Sequence, residues 1–237
     1  MPFSQLLGSG DLAALTFFLV GWGTYSLIVD RSRWSQGGLS RRMNQQREAW
    51  MRTMLLRELR MIDTAIMSGL QQGTGFFASA CIFAIGGCFA LIGSAERIAA
   101  VTTDLPFVGA LERGLVEVKL LGLVTIFVYA FFKFGWAYRL FNYCTILIGA
   151  VPMRQEAERR PEFAEAALQR ALSMNRIAGR NFNAGLRAVF FGLAYLGWFV
   201  GPVVLAATTL IVVLTLLRRQ FLSDANRSLA VTERDAT

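Results

Sequence analysis

Long uncharged runs separated by arginine-rich blocks organise this chain. No charged residue lies between Asp63 and Glu96, and none between Arg187 and Arg218. A soluble core helix carries charge on its wet face every turn or so, whereas runs beyond about 18 mostly apolar residues predict helices that cross a membrane. Four such segments are expected, near residues 12–29, 74–94, 120–138 and 188–217. The third has an uncharged continuation, FNYCTILIGAVPM, through which its helix can extend.

Two further stretches show a helical period with a wet face. In residues 39–70, Met51, Leu55, Leu59, Ile62, Ile66 and Leu70 recur at three- or four-residue steps, and Glu48 stands four before Arg52, the favourable order for a helical ion pair. One amphipathic helix is expected here, lying on the membrane surface or on a sister helix and running unbroken into the second span. In residues 161–183, opened by Pro161, the positions Ala164, Ala167, Leu168, Ala171, Asn175, Ala178 and Phe182 fall on one face. The expected fold is all-α: a multi-pass transmembrane helical bundle forming a single domain over residues 1–222, with two cytoplasmic amphipathic helices and a loose polar tail at 223–237.

Charge orients the bundle. Residues 31–60 hold eight arginines against two acids, and 139–187 eight against four, while 96–119 hold three bases and four acids. Loops rich in Arg and Lys stay in the cytoplasm, so the first two segments are expected inside, the third outside and the N-terminus outside, in a bacterial inner membrane. No positive charge precedes the first apolar stretch, which is therefore expected as a retained helix rather than a cleaved signal. The fourth segment carries a conflict. A single crossing strands Arg218 and Arg219 outside, and thirty helical residues reach about 45 Å, against a hydrocarbon core of roughly 30 Å. A hairpin at Gly197, Gly201 and Pro202 returns the arginines to the cytoplasm, at the cost of short arms; one long kinked helix is the other solution.

Apolar residues make up 54% of the chain and charged residues 17%, below the roughly 25% usual in soluble domains. Histidine is absent, which excludes imidazole-based catalysis and His-ligated metal or haem. Cys81, Cys88 and Cys144 sit in apolar surroundings and form no disulfide framework. No catalytic residue, metal ligand or cofactor is expected. The arginines suit orientation and attraction to anionic lipid at the cytoplasmic face, so lipids and further copies of the chain, not nucleic acid, are the expected partners.

The remaining candidates concern a pathway or helix packing. Phe76, Phe77 and Ser79 open the second span, where paired phenylalanines on an axis form a gate that dewets. Glu96 and Arg97 close that span and can ring an outer vestibule, or simply sit among headgroups. Lys133 is a charge inside an apolar run, six residues from Arg139 and so within snorkelling reach of the interface. Gly86, Ala90 and Ser94, like Gly197 and Gly201, are spaced four apart, as small residues are where helices approach closely.

The segments LLRELRMIDTAIMSGL (55–70), GFFASACIFAIGG (75–87), DLPF (104–107), KLLGLVTIFVYAFFKFGWAYRLFNY (119–143), FNAGLRAVFFGLAYLGWFVGP (182–202) and LRRQFLSDA (217–225), in this order, resemble a family of bacterial and plant membrane proteins known by a domain-of-unknown-function label. The resemblance implies an integral membrane fold and no assigned chemistry. Two functions stay open: a homo-oligomeric channel or small-solute pathway, and a non-transporting scaffold or assembly factor that binds lipids or partner proteins.

Overall fold

The structure, a computed structural model, describes residues 7–31, 37–96 and 113–234. Among these, 91% are helical and none is in a strand. The long helices are α1 (Ser9–Arg31), α2 (Leu39–Leu55), α3 (Met61–Ile92) and α4 (Arg113–Ala150). They are followed by a short α5 (Arg154–Arg159), α6 (Pro161–Tyr195), a 3-10 turn (Leu196–Phe199), α7 (Pro202–Phe221) and α8 (Asp224–Arg234). Four helices are long and apolar enough to cross a membrane: α1, α3, α4 and the stretch Pro202–Ala230 that begins with α7.

The chain divides into two compact units. The first comprises residues 1–39, 81–129 and 187–237, the second residues 40–80 and 130–186, so α3, α4 and α6 contribute to both.

In the first unit, α1 and α7 run side by side in the same direction. Gly10 faces Pro202, and Gly21 faces Thr209 and Val213. The final part of α6 runs against both α1 and α4: Gly122 lies under Tyr195, and Gly192 packs on Ile126 and Phe127. Residues 188–217 are therefore a helical hairpin. α6 ends at Tyr195, tightens into the 3-10 turn, and α7 restarts with Pro202 at its first position, where the missing N–H costs nothing. The Thr208 hydroxyl donates to Ala194 O at 2.7 Å across the two arms. At Gly197 an added Cβ would lie 2.6 Å from Thr208 Oγ1 and 3.1 Å from Val204 O, so the arms meet where only glycine fits. Gly201, by contrast, has open space where its Cβ would be. The hairpin brings the end of α7 back to the start of the arginine-rich segment: the Asn226 amide donates to Gly37 O at 3.1 Å. α8 also replaces the loose tail expected from residue 223, with Ser223 Oγ accepting the Asn226 N–H at its start.

In the second unit, α2, the first part of α3, the last part of α4 and the first part of α6 enclose a core of Met51, Met54, Met67, Leu140, Phe141, Cys144, Ile148 and Leu168. The predicted face of α6 is the one that packs. Ala164, Ala167, Leu168, Ala171, Asn175 and Ala178 are buried, and Phe182 sets its ring against Phe77 and Phe134.

The expected unbroken helix over 39–70 is not formed: α2 stops at Leu55 and α3 begins at Met61. No glycine or proline marks the break; tertiary hydrogen bonds make it. Arg60 donates to Ile148 O, Val151 O and Pro152 O at 3.0, 2.6 and 2.6 Å, satisfying carbonyls at the end of α4. Arg57 pairs with Asp63, which also accepts the Trp50 indole N–H at 2.7 Å. The break takes the predicted stripe out of phase, leaving Leu59, Ile62 and Ile66 exposed.

Candidate functional site

Charge inside the first unit is placed at helix ends. Lys119, on the first turns of α4, is 2% exposed. Its ammonium donates to Trp198 O at 2.7 Å and lies 5.2 Å from that residue's ring centroid. A cation is favoured there because the carbonyls ending α6 and its 3-10 turn carry the negative end of the helix dipole. The Trp198 indole N–H donates to Asp11 Oδ1 at 2.6 Å, and Asp11 lies in the first turn of α1, where a carboxylate is favoured. Near the other end of α1, Asp30 takes a two-pronged contact from Arg187, at 3.0 and 2.7 Å. Between these clasps Phe191 stacks on Trp22 at 5.2 Å, and Phe18 meets Phe191 and Tyr195 edge-on. These charges hold α6 against α1 and α4, and each one named here is engaged by a partner within the chain.

α3 is covered differently. Only 11% of its most apolar stretch is buried, against 39% for α4. Met67, Thr74, Cys81 and Cys88 are buried, one residue in seven, which is a single narrow seam. Much of the rest is exposed. In the second unit Gln72, Phe76 and Ser79 are exposed; in the first, Phe83, Gly86, Ala90 and Ser94. Within each unit these positions step by three or four, and those on α3 share one side of it; Ser94 lies in the turn past Ile92. Among the described residues, no neighbouring atom comes within 4 Å of where a Cβ would be at Gly73, Gly86 or Gly87. A face made for lipid alone would carry Leu, Ile, Val and Phe throughout; this one alternates small or polar residues with two phenylalanines, exposed by 69% and 79%.

Phe76 and Phe77 meet edge-on, their ring centroids 5.5 Å apart. Phe77 also stacks on Phe134 at 5.4 Å and an 18° interplanar angle, while Phe76 is exposed. Gly86, Ala90 and Ser94 are exposed among the described residues, whereas Gly197 packs closely and Pro202 lies against Gly10. Glu96 pairs with Arg113, which also reaches Glu117 at 2.8 Å. Lys133 is half-buried on α4. Arg97 lies outside the described residues.

Sequence reasoning passed over Lys119, Asp11 and Asp30, because charge at the edge of an apolar run looks like an ordinary flank. The readable signal was their position: acids opening and closing α1, and a lone lysine opening α4. The expected Glu48–Arg52 pair forms at 3.1 Å, but sequence reasoning passed over its extension on the outer face of the second unit, where Glu48 contacts Arg176 at 2.8 Å and Arg52 reaches Glu165 at 3.3 Å. Hydrogen bonds from Arg52 and then Arg176 hold the Glu48 carboxyl below its ordinary value. Burial pushes the neighbouring Arg47 guanidinium down, and the charge of Arg176 adds to this. Among the described residues no three Cys, Asp or Glu are grouped to hold a metal ion.

The family described as "Protein of unknown function, DUF599" has a sequence model that matches residues 13–225. The chain belongs to that family. No curated protein and no solved structure matches it.

Proposed function

We propose that this DUF599 protein assembles through the uncovered face of α3 into a homo-oligomer that surrounds a pathway for small solutes or ions. The observation that supports it is the make-up of that face. Glycine, alanine and serine let neighbouring helices approach, and the exposed Phe76 of one unit and Phe83 of the other can each narrow an axis that wets and dewets. The arginine-rich ends of the helices lie in the cytoplasm on this reading, with the N-terminus outside, and bias such a pathway toward anions.

One observation favours a scaffold that carries nothing: the charges buried in the first unit are engaged by partners in their own chain. The experiment separates the two readings. Ser79→Cys and Ala90→Cys copies should cross-link to one another in membranes, while Leu193→Cys, exposed on α6, should not. Liposomes holding the pure protein should then pass small ions, with flux rising about tenfold in Phe83→Ala. Cross-linking without flux would favour the scaffold, and a monomer in several detergents and in lipid discs would remove the pathway.

A further inference from the structure

We propose a second site, at the corner between α7 and α8, that holds the phosphate of an anionic phospholipid headgroup. The corner forms a cleft, open to one side, of about 290 Å³. Arg218, Arg219 and Arg227 line it, together with the hydroxyl-bearing Thr215 and Ser223. The one acid in its wall is Asp224, engaged by Arg227 at 3.4 Å. Three guanidiniums against one carboxylate leave a net charge of about +2 facing the cleft, suited to a phosphodiester. Guanidinium also matches the planar pair of phosphate oxygens better than ammonium does.

The site is built rather than draped. Arg219 is held 5.6 Å from the Phe190 ring centroid. The Asn226 side chain ties the corner together, donating to Phe221 O at 2.9 Å and to Gly37 O at 3.1 Å. Arg227 is drawn back over the bend by Leu222 O at 3.3 Å.

Position selects a lipid over a soluble phosphate. Leu210, Ile211 and Leu214 form an exposed apolar ladder on α7 that ends one turn before Arg218. An acyl chain laid along that ladder delivers its headgroup to the cleft. The contact needs no second copy of the protein and no pathway, so it stands apart from the proposal for α3.

The test uses the full chain in lipid discs of phosphatidylcholine doped with phosphatidylglycerol. Native mass measurement, after the bulk lipid is stripped, counts the lipids kept. Wild type should keep one phosphatidylglycerol per chain. R218Q/R227Q, which leaves the packed Arg219 in place, should keep it roughly ten- to thirtyfold less well, from about 1 kcal/mol per basic residue near a charged surface. R218K/R227K should keep it better than the glutamine pair. R170Q/R180Q removes the same charge from exposed positions on α6 and should keep the lipid as wild type does. Equal retention by R218Q/R227Q and wild type would overturn the site. Equal loss in R170Q/R180Q would show diffuse attraction instead, and displacement of the lipid by millimolar inorganic phosphate would show a soluble-phosphate site.

Discussion

In the unit built around α1 and α7, Lys119 and Arg187 are buried, and both charges meet helix ends or a carboxylate near one. In the unit built around α2 and α5 the core is Met, Leu, Ala, Cys, Phe, Ile and Val, and its outer face carries the Glu48–Arg52–Glu165–Arg176 group. Asp63 is the one fully buried charge of that second unit among the described residues. The contrast follows from the solvent each sequence pattern suits. Where the outer surface is apolar, polar groups gain nothing by facing out and are held inside at helix termini. Where charged groups cover an outer face, the ordinary arrangement returns, with apolar side chains beneath them. α3, α4 and α6 each contribute to both arrangements, so the change of rule occurs along single helices.

The same substitution made in each unit should break that comparison most sharply. At Gly122 an added Cβ would lie 1.9 Å from the Tyr195 hydroxyl oxygen and 2.8 Å from the ring carbon bearing it. The ring is buried and cannot step aside. Gly122→Ala should therefore cost about 3 kcal/mol or more, the upper range for overpacking. At Gly179 the added atom meets the tip of Arg47, at 2.8 Å, which is the far end of a flexible chain. Gly179→Ala should cost less than about 1 kcal/mol, since a helix also favours alanine over glycine. Thermal melts in one detergent compare them directly. Equal melting of the two variants would show that the first unit is not the more tightly packed at these sites.

Lys119→Met comes next. It leaves Trp198 O without its buried donor and removes the cation from a helix end, together about 2 kcal/mol. Asp63→Asn in the second unit is expected to cost about 1 kcal/mol. Asparagine still offers the Trp50 indole an acceptor, and Arg57, whose side chain is 31% exposed, can turn to water. A larger loss at Asp63 than at Lys119 would reverse the view that buried charge matters more in the first unit.

How far the sequence reaches is clear from these same residues. The uncharged runs announced the spanning helices because lipid admits so few alternatives for the backbone. The α6 face was legible because one amphipathic period continues through it without interruption. The hairpin was legible as an option because Gly197 and Pro202 sit where a turn was needed, and close packing at Thr208 completes it. The break after Leu55 was not legible, since Arg57 and Arg60 read as good helix formers until their distant partners, Asp63 and the α4 carbonyls, are in place. Phe76 and Phe77 touch edge-on, yet neighbouring positions on a helix lie about 100° apart, so one ring is exposed and the other is packed. Only packing reveals that Phe77 is spent on Phe134 and Phe182.

The smallest expected effect concerns the outer face of the second unit. Glu48 keeps its proton less tightly in the fold than in an unfolded chain, whose ordinary value is 4.5. A carboxyl lowered in this way stabilises the fold fully above that ordinary value, and its contribution fades as pH falls through the lower, folded one. Stability should therefore be flat with respect to Glu48 from pH 7 down to about 5 and should decline only below. Exposure limits the size, because Glu48 and Arg52 are open to water and salt, and pairs of this kind contribute roughly 0.2–1 kcal/mol. Glu48→Gln should remove that part of the acid slope while shifting the neutral-pH melt by a degree or two. Raising salt should shrink the difference between variant and wild type. The Lys119→Met loss, set by a buried hydrogen bond, should persist at the same salt. If both differences shrank alike, the Lys119 contact would be as solvent-screened as Glu48, and the division of the molecule into a dry and a wet arrangement would fail at its most informative residue.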